Sequence, residues 1–237
     1  MVFARSAAMG FNRYADRNID ARNPRTVVRE IPSGIIKPSA ALLFIIFSCI
    51  LFIGICFTIN PLCFYLSPVA LLVVLGYSYT KRFTALCHLF LGLGLALAPI
   101  GAYLTLTGQF ALLPLFFSFL VLCWVSGFDI IYALQDEQFD RENDLNSIPA
   151  WLGAKKALVL STVLHFLSAF FMIVAGVWAG GGLFYWIGAC LFCMFLVYQH
   201  LLVKPDDLSR INRAFFTSNG IASVVFGIFV ALDILWR

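Results

Sequence analysis

Two sets of acidic residues are the places where this sequence could do chemistry. The first is Asn12-Arg-Tyr-Ala-Asp16-Arg-Asn-Ile-Asp20; the second is Asp129-Ile-Ile-Tyr132-Ala-Leu-Gln-Asp136-Glu-Gln-Phe-Asp140. On an α-helix at about 100° per residue, Asn12, Asp16 and Asp20 fall within an arc of about 80°, and so do Asp129, Tyr132, Asp136 and Asp140. Carboxylates sharing one face repel one another and resist ionising together unless a cation sits among them. The donors are carboxylates and one amide, with no Cys or ligand-spaced His, which suits a hard cation such as Mg²⁺. Two such sets facing each other would hold two ions and clamp a diphosphate. Taken alone, either set also reads as a solvated, charged helix end.

The elements that must position these sets are membrane spans. Of the 237 residues, 62% are hydrophobic and only 12% are charged, and the mean hydropathy is +0.93. Soluble domains carry about 25% charged residues, so the composition excludes one. Uncharged runs cover 38–80, 83–128, 157–203 and 214–232. The first three are each about twice the roughly 20 residues needed to cross, and each contains a turn signal: Asn60-Pro61, Thr107-Gly108-Gln109 and Gly180-Gly181-Gly182. They read as three helical hairpins, and the fourth run as one helix. The expected fold is an all-α, multi-span transmembrane bundle with seven complete spans, forming one domain over 1–237.

Charge placement orients the bundle. Every Lys and Arg except Arg237 falls on one side of the seven-span arrangement, and the positive-inside rule makes that side cytoplasmic. Both acidic sets and the Lys81-Arg82 pair share this face. Because the basic residues border the membrane, the net charge of +4 indicates no nucleic-acid partner. Cysteines inside apolar runs read as small apolar side chains. His88, His165 and His200 stand singly near span ends and read as interfacial hydrogen-bonding groups, as does Asp233 at the far end. Gly92, Gly94 and Pro99 mark a closely packed, kinked span.

At the acidic sets the sequence resembles the UbiA superfamily of intramembrane prenyltransferases, whose paired signature is Asn12-x3-Asp16-x3-Asp20 and Asp129-x2-Tyr132-x2-Gln135-Asp136-x3-Asp140. Asn23-Pro24-Arg25-Thr26, the segment Tyr77 to Thr84 and Ser147-Ile148-Pro149 are similar to the 4-hydroxybenzoate polyprenyltransferase branch, including relatives acting on the naphthoate ring of menaquinone. The resemblance implies transfer of a polyprenyl chain from its allylic diphosphate to an aromatic acceptor in ubiquinone or menaquinone biosynthesis. It implies a protein of the bacterial inner membrane with a cytoplasmic active face, no obligate protein partner, and the lipid bilayer as its surroundings. Mg²⁺ held by Asp16, Asp20, Asp136 and Asp140, with Asn12 and Asp129 as further ligands or positioners, would stabilise the departing diphosphate. Lys81 and Arg82 would bind the phosphates or an acidic arene, with a plain topology signal as the alternative. Tyr132 would orient a carboxylate or face the cation.

Two departures accompany the resemblance. Family members have about nine helices, so one full helix and most of another are expected ahead of Asn12, roughly 50 residues. Residues 1–11, at most about 17 Å as helix against a hydrocarbon core of about 30 Å, would then be a stub that leaves the first acidic set poorly supported. At Asn143-Asp144-Leu145 relatives often carry a glycine before the leucine. The competing readings are another branch of the superfamily (haem, chlorophyll or lipid prenyltransferases) and a cation transporter.

Overall fold

The structure, a computed structural model, describes residues 1–236; Arg237, expected on the opposite face, lies outside the described residues. The helices run α1 (Val2–Ala15), α2 (Arg17–Asp20), α3 (Pro38–Ile59), α4 (Pro61–Thr80), α5 (Cys87–Thr107) and α6 (Leu112–Ala133), then a 3₁₀ turn (Leu134–Asp136), α7 (Glu137–Glu142), α8 (Ile148–Leu152), α9 (Ala154–Trp178) and α10 (Leu183–Leu202). A π turn (Arg213–Ser218) leads into α11 (Asn219–Leu235). Seven of the helical stretches are long and apolar enough to cross a membrane, and no strand is present among the described residues. The protein is an integral membrane helix bundle. Large apolar side chains such as Leu43, Phe57, Leu72, Phe166 and Leu201 project from its outside, where acyl chains rather than water meet them.

Local chemistry sets the breaks. Pro38 and Pro61 stand in the first turn of their helices, where a missing N–H costs nothing. Asn60 caps α4 by accepting the Cys63 amide at 2.8 Å, and its own amide donates to the Leu104 carbonyl at 2.9 Å. That ties the α3–α4 turn to the end of α5. Gly108 ends α5 with φ of 65°, a left-handed cap that favours glycine.

Helix α6 is the centre of the bundle, with α5 on one side and α9 on the other. A Cβ at Gly92 would lie 2.3 Å from Ser126 Oγ and 2.6 Å from the Leu122 carbonyl, so only glycine lets α5 approach α6 this closely. Gly94 is in ordinary contact with Val74, so the tight packing expected of the pair belongs to Gly92.

Three expectations change. His165 and His200 do not stand singly: His165 Nδ1 lies 2.9 Å from His200 Nε2, joining α9 to α10. Asp233 is buried and not interfacial, accepting the backbone N–H groups of Gly182 and Tyr185 at 3.0 and 3.1 Å. It caps the start of α10 from a neighbouring helix. Helix α1 is held sideways: it packs on α3 and α4, with Gly10 against Ile45 and Phe11 edge-on to Tyr79. Lateral packing supplies the support that length alone does not.

Candidate active site

Neither acidic set lies on one continuous α-helix. Asn12 is on α1, Asp16 is the junction and Asp20 ends α2; likewise Asp129 and Tyr132 are on α6, Asp136 closes the 3₁₀ turn and Asp140 is on α7. The expected single-face arc therefore fails in each set at a helix restart. Each restart puts an aspartate, Asp16 or Asp136, at the N-cap of the next short helix, the helix end that tolerates negative charge. Neither side chain bonds its own helix, so both are left to face inward.

Asn12, Asp16, Asp20, Lys81, Asp129, Tyr132, Asp136 and Asp140 all line one cavity of about 230 Å³ at the loop end of the spans. Arg82 is not among them. Its guanidinium donates to the Ala15 carbonyl at 2.6 Å, lies over the Tyr79 ring at 4.7 Å, and lines an adjacent cleft. Arg82 secures the end of α1; at 3.6 Å from Asp16 Oδ1 it adds charge but no hydrogen bond.

Three of the five carboxylates, Asp16, Asp20 and Asp136, are paired with Lys or Arg side chains. Lys81 Nζ is 2.7 Å from Asp16 Oδ2, and the Asn12 amide donates to the same oxygen at 3.3 Å. Arg29 Nη1 reaches both oxygens of Asp20 at 2.9 Å. Arg25 forks onto Asp136, with Nε 2.9 Å from Oδ1 and Nη2 on Oδ2, while Nη1 donates to the Tyr132 hydroxyl at 3.1 Å. Burial works against the Arg25 charge, but hydrogen bonding and charge pairing with Asp136 outweigh it and raise the guanidinium pKa. Asn23 completes the arrangement: its amide donates to Asp136 at 3.0 Å and its carbonyl accepts the Arg25 N–H.

Asp129 is held differently. His88 Nδ1 is 2.7 Å from Asp129 Oδ2, and His88 Nε2 lies 3.3 Å from the Ile148 backbone N–H. That N–H is a donor, so Nε2 keeps its lone pair and the ring proton sits on Nδ1, donating to Asp129. Asp129 and Asp140 have no Lys or Arg within ion-pair distance among the described residues. Arg25, Arg29 and His88 are the site residues that the acidic spacing does not point to. The signal for the arginines was their place in the turn-rich connector just after the first acidic set. His88, expected to stand singly at the interface, is instead buried and paired with Asp129, a pairing without a sequence signal because the partner lies on another span.

The donor set suits a hard cation: the oxygens are carboxylate or amide, and Asp16 Oδ1 is buried without a hydrogen-bond partner. As the side chains stand, though, no three potential ligands among the described residues come close enough to share an ion. Lys81, Arg29 and Arg25 answer the charges of Asp16, Asp20 and Asp136, and not those of Asp129 and Asp140.

Near Leu145 one backbone feature bears on this loop. Asp144 has φ of 53°, a left-handed conformation that favours glycine and that Asp adopts more readily than most residues.

A helix bundle with seven apolar spans and a cavity of carboxylates, guanidinium groups and one ammonium at its loop end is an integral membrane protein with its polar site at one end of the spans. Residues 1–220 match the UbiA prenyltransferase family, and the chain belongs to that family: it is a prenyltransferase. It is 29% identical over 232 residues to the 4-hydroxybenzoate octaprenyltransferase of Francisella tularensis (strain FSC 198), covering 95% of this chain and 79% of that protein. To the 4-hydroxybenzoate octaprenyltransferase of Shewanella halifaxensis it is 30% identical over 236 residues, covering 99% and 81%. The apo structure of a UbiA homologue from Aeropyrum pernix superposes with a TM-score of 0.90 at 28% identity, covering 98% of this chain and 86% of that one. A UbiA homologue from Archaeoglobus fulgidus bound to GPP and Mg²⁺ shares the fold, with a TM-score of 0.70 at 18% identity over 98% of this chain and 84% of that one. Membership in this family displaces the transporter reading.

Proposed function

We propose that this chain transfers a polyprenyl group from its allylic diphosphate to an aromatic ring of the hydroxybenzoate or naphthoate type, supplying a respiratory quinone. The observation that carries the proposal is the pairing of every cation in the cavity with a carboxylate that a ligand can take over. A diphosphate entering the cavity meets Lys81, Arg25 and Arg29, whose charge-assisted hydrogen bonds suit phosphate oxygens. As those side chains turn to the phosphates, Asp16, Asp20 and Asp136 are released, and with Asp140 and the Asn12 amide they would hold Mg²⁺. When bound, the metal supplies Lewis-acid stabilisation of the departing diphosphate.

Ionisation leaves a delocalised allylic cation, and Tyr132 in the cavity wall offers it an aromatic face. Attack by the arene forms the new carbon–carbon bond and leaves a ring proton to remove. Asp129, which accepts His88 Nδ1–H and has no Lys or Arg within ion-pair distance among the described residues, would take it as general base. The active face is cytoplasmic and the membrane is the bacterial inner membrane.

Membranes containing the protein, given radiolabelled polyprenyl diphosphate, Mg²⁺ and a panel of hydroxybenzoates and naphthoates, should yield prenylated arene. Transfer only to a non-aromatic acceptor would move the chain to another branch of the family. Reporter fusions should place 81–84 and 141–156 in the cytoplasm and 108–111 outside; the reverse would overturn the orientation.

A further inference from the structure

The π turn at Arg213–Ser218 lengthens one helical turn by a residue and takes carbonyls out of their α-helical pairing. Within a bilayer those carbonyls need another donor. Asn219 supplies it: its Nδ2 donates to the Phe215 carbonyl at 2.8 Å and to the Ala214 carbonyl at 3.4 Å. Its Oδ1 in turn accepts Gln199 Nε2 at 2.7 Å and Trp124 Nε1 at 3.0 Å. Gln199 is fully buried and Asn219 nearly so. One amide thus joins α6, α10 and the last span through donors that cannot rotate away to water.

The consequence lies at the cavity. Phe215, carried by the π turn, stacks on Tyr132 with ring centroids 4.0 Å apart and planes at 27°. Tyr132 lines the cavity while Phe215 and Asn219 do not, so Phe215 backs the ring. On the other side Tyr132 accepts Arg25 Nη1–H, and Arg25 forks onto Asp136. Relaxing the π turn to α-helix would swing Phe215 by about 100° around the helix axis, off the tyrosine.

We infer that Asn219 is a positioning residue for the active site: it holds the π turn, through the turn it holds Phe215, and so it fixes the plane of Tyr132. This rests on the prenyl-transfer reading, in which that plane faces the allylic cation.

The test is a double-mutant cycle on kcat in the radiolabel assay. Asn219→Asp keeps an acceptor for Trp124 and Gln199 but cannot donate to the Phe215 carbonyl. Phe215→Leu removes the stack. Each should lower kcat about 10-fold with KM for the polyprenyl diphosphate within about twofold, and the double variant should be no slower than Phe215→Leu alone. Phe215→Tyr, which keeps a ring, should retain most of the activity. Effects that multiply to about 100-fold would overturn the inference, as would full activity in Asn219→Asp. If Asn219→Asp does not accumulate as folded protein, the milder Trp124→Phe is combined with Phe215→Leu; coupling supports the inference and independence overturns it. Absence of arene transfer by the wild type counts against the proposed function and removes the basis of this inference with it, whereas independent effects in an active enzyme overturn this inference alone, so the two failures are distinguishable.

Discussion

The bundle buries aspartates at both ends and treats them in opposite ways. At the far end Asp233 accepts two backbone N–H groups, from Gly182 and Tyr185. Those donors belong to the start of α10 and go nowhere, so the carboxylate is part of the scaffold. At the loop end Asp16, Asp20 and Asp136 are paired with the tips of Lys81, Arg29 and Arg25. Long side chains with rotatable stems can exchange one partner for another, and phosphate is a partner they prefer at least as well. A carboxylate tied to backbone stabilises the fold, whereas in the proposed function one tied to a movable cation is released to a ligand.

The largest effect that would break this contrast is on turnover. Asp16→Ala or Asp136→Ala should lower kcat/KM by about 10³-fold or more while membrane insertion and thermal stability persist, and chelation by EDTA should do the same, reversibly with Mg²⁺. Activity surviving either substitution would return these aspartates to the scaffold class. Next in size, Arg25→Lys should cost about 10- to 100-fold in kcat/KM, because an ammonium cannot fork onto Asp136 and reach the Tyr132 hydroxyl at once; steady-state kinetics on the variant decides it. Asp233→Ala should act on the other side of the comparison. It strands the buried Tyr185 N–H and the half-buried Gly182 N–H, so unfolding in detergent should show a loss of about 2 kcal/mol with kcat/KM unchanged within about twofold. An activity loss without a stability loss would mean that the far end takes part in catalysis. The smallest effect sharpens the scaffold reading of the loop after α7: Asp144→Gly should raise stability by about 0.5–1 kcal/mol without altering turnover, since it removes a left-handed Asp. A destabilised variant would show that the Asp144 side chain has a role of its own.

Much of this was legible in the sequence because bilayers impose a one-dimensional constraint. Uncharged runs of fixed length, broken at Asn60, Gly108 and Gly180, fix where helices start and stop, and the one-sided Lys and Arg put both acidic sets at the same end. Side-chain periodicity then named seven of the cavity's lining residues, and the Lys81-Arg82 pair at the end of a span supplied the eighth. What it could not give was pairing across the bundle. Whether Lys81 or Arg82 enters the cavity depends on which way the turn after α4 rotates. Two adjacent residues point about 100° apart, and only the packed end of α1, taking Arg82 onto the Ala15 carbonyl, settles it. The same holds for His88 with Asp129, for His165 with His200 and for Asn219 with Gln199 and Trp124, each joining residues on different spans. The sequence by itself determined the spans, their common charged face and the residue types able to hold a diphosphate and a hard cation. Tertiary structure alone decided which cation answers which carboxylate, because those contacts are set by the rotation and approach of neighbouring helices, and no period within one helix records them.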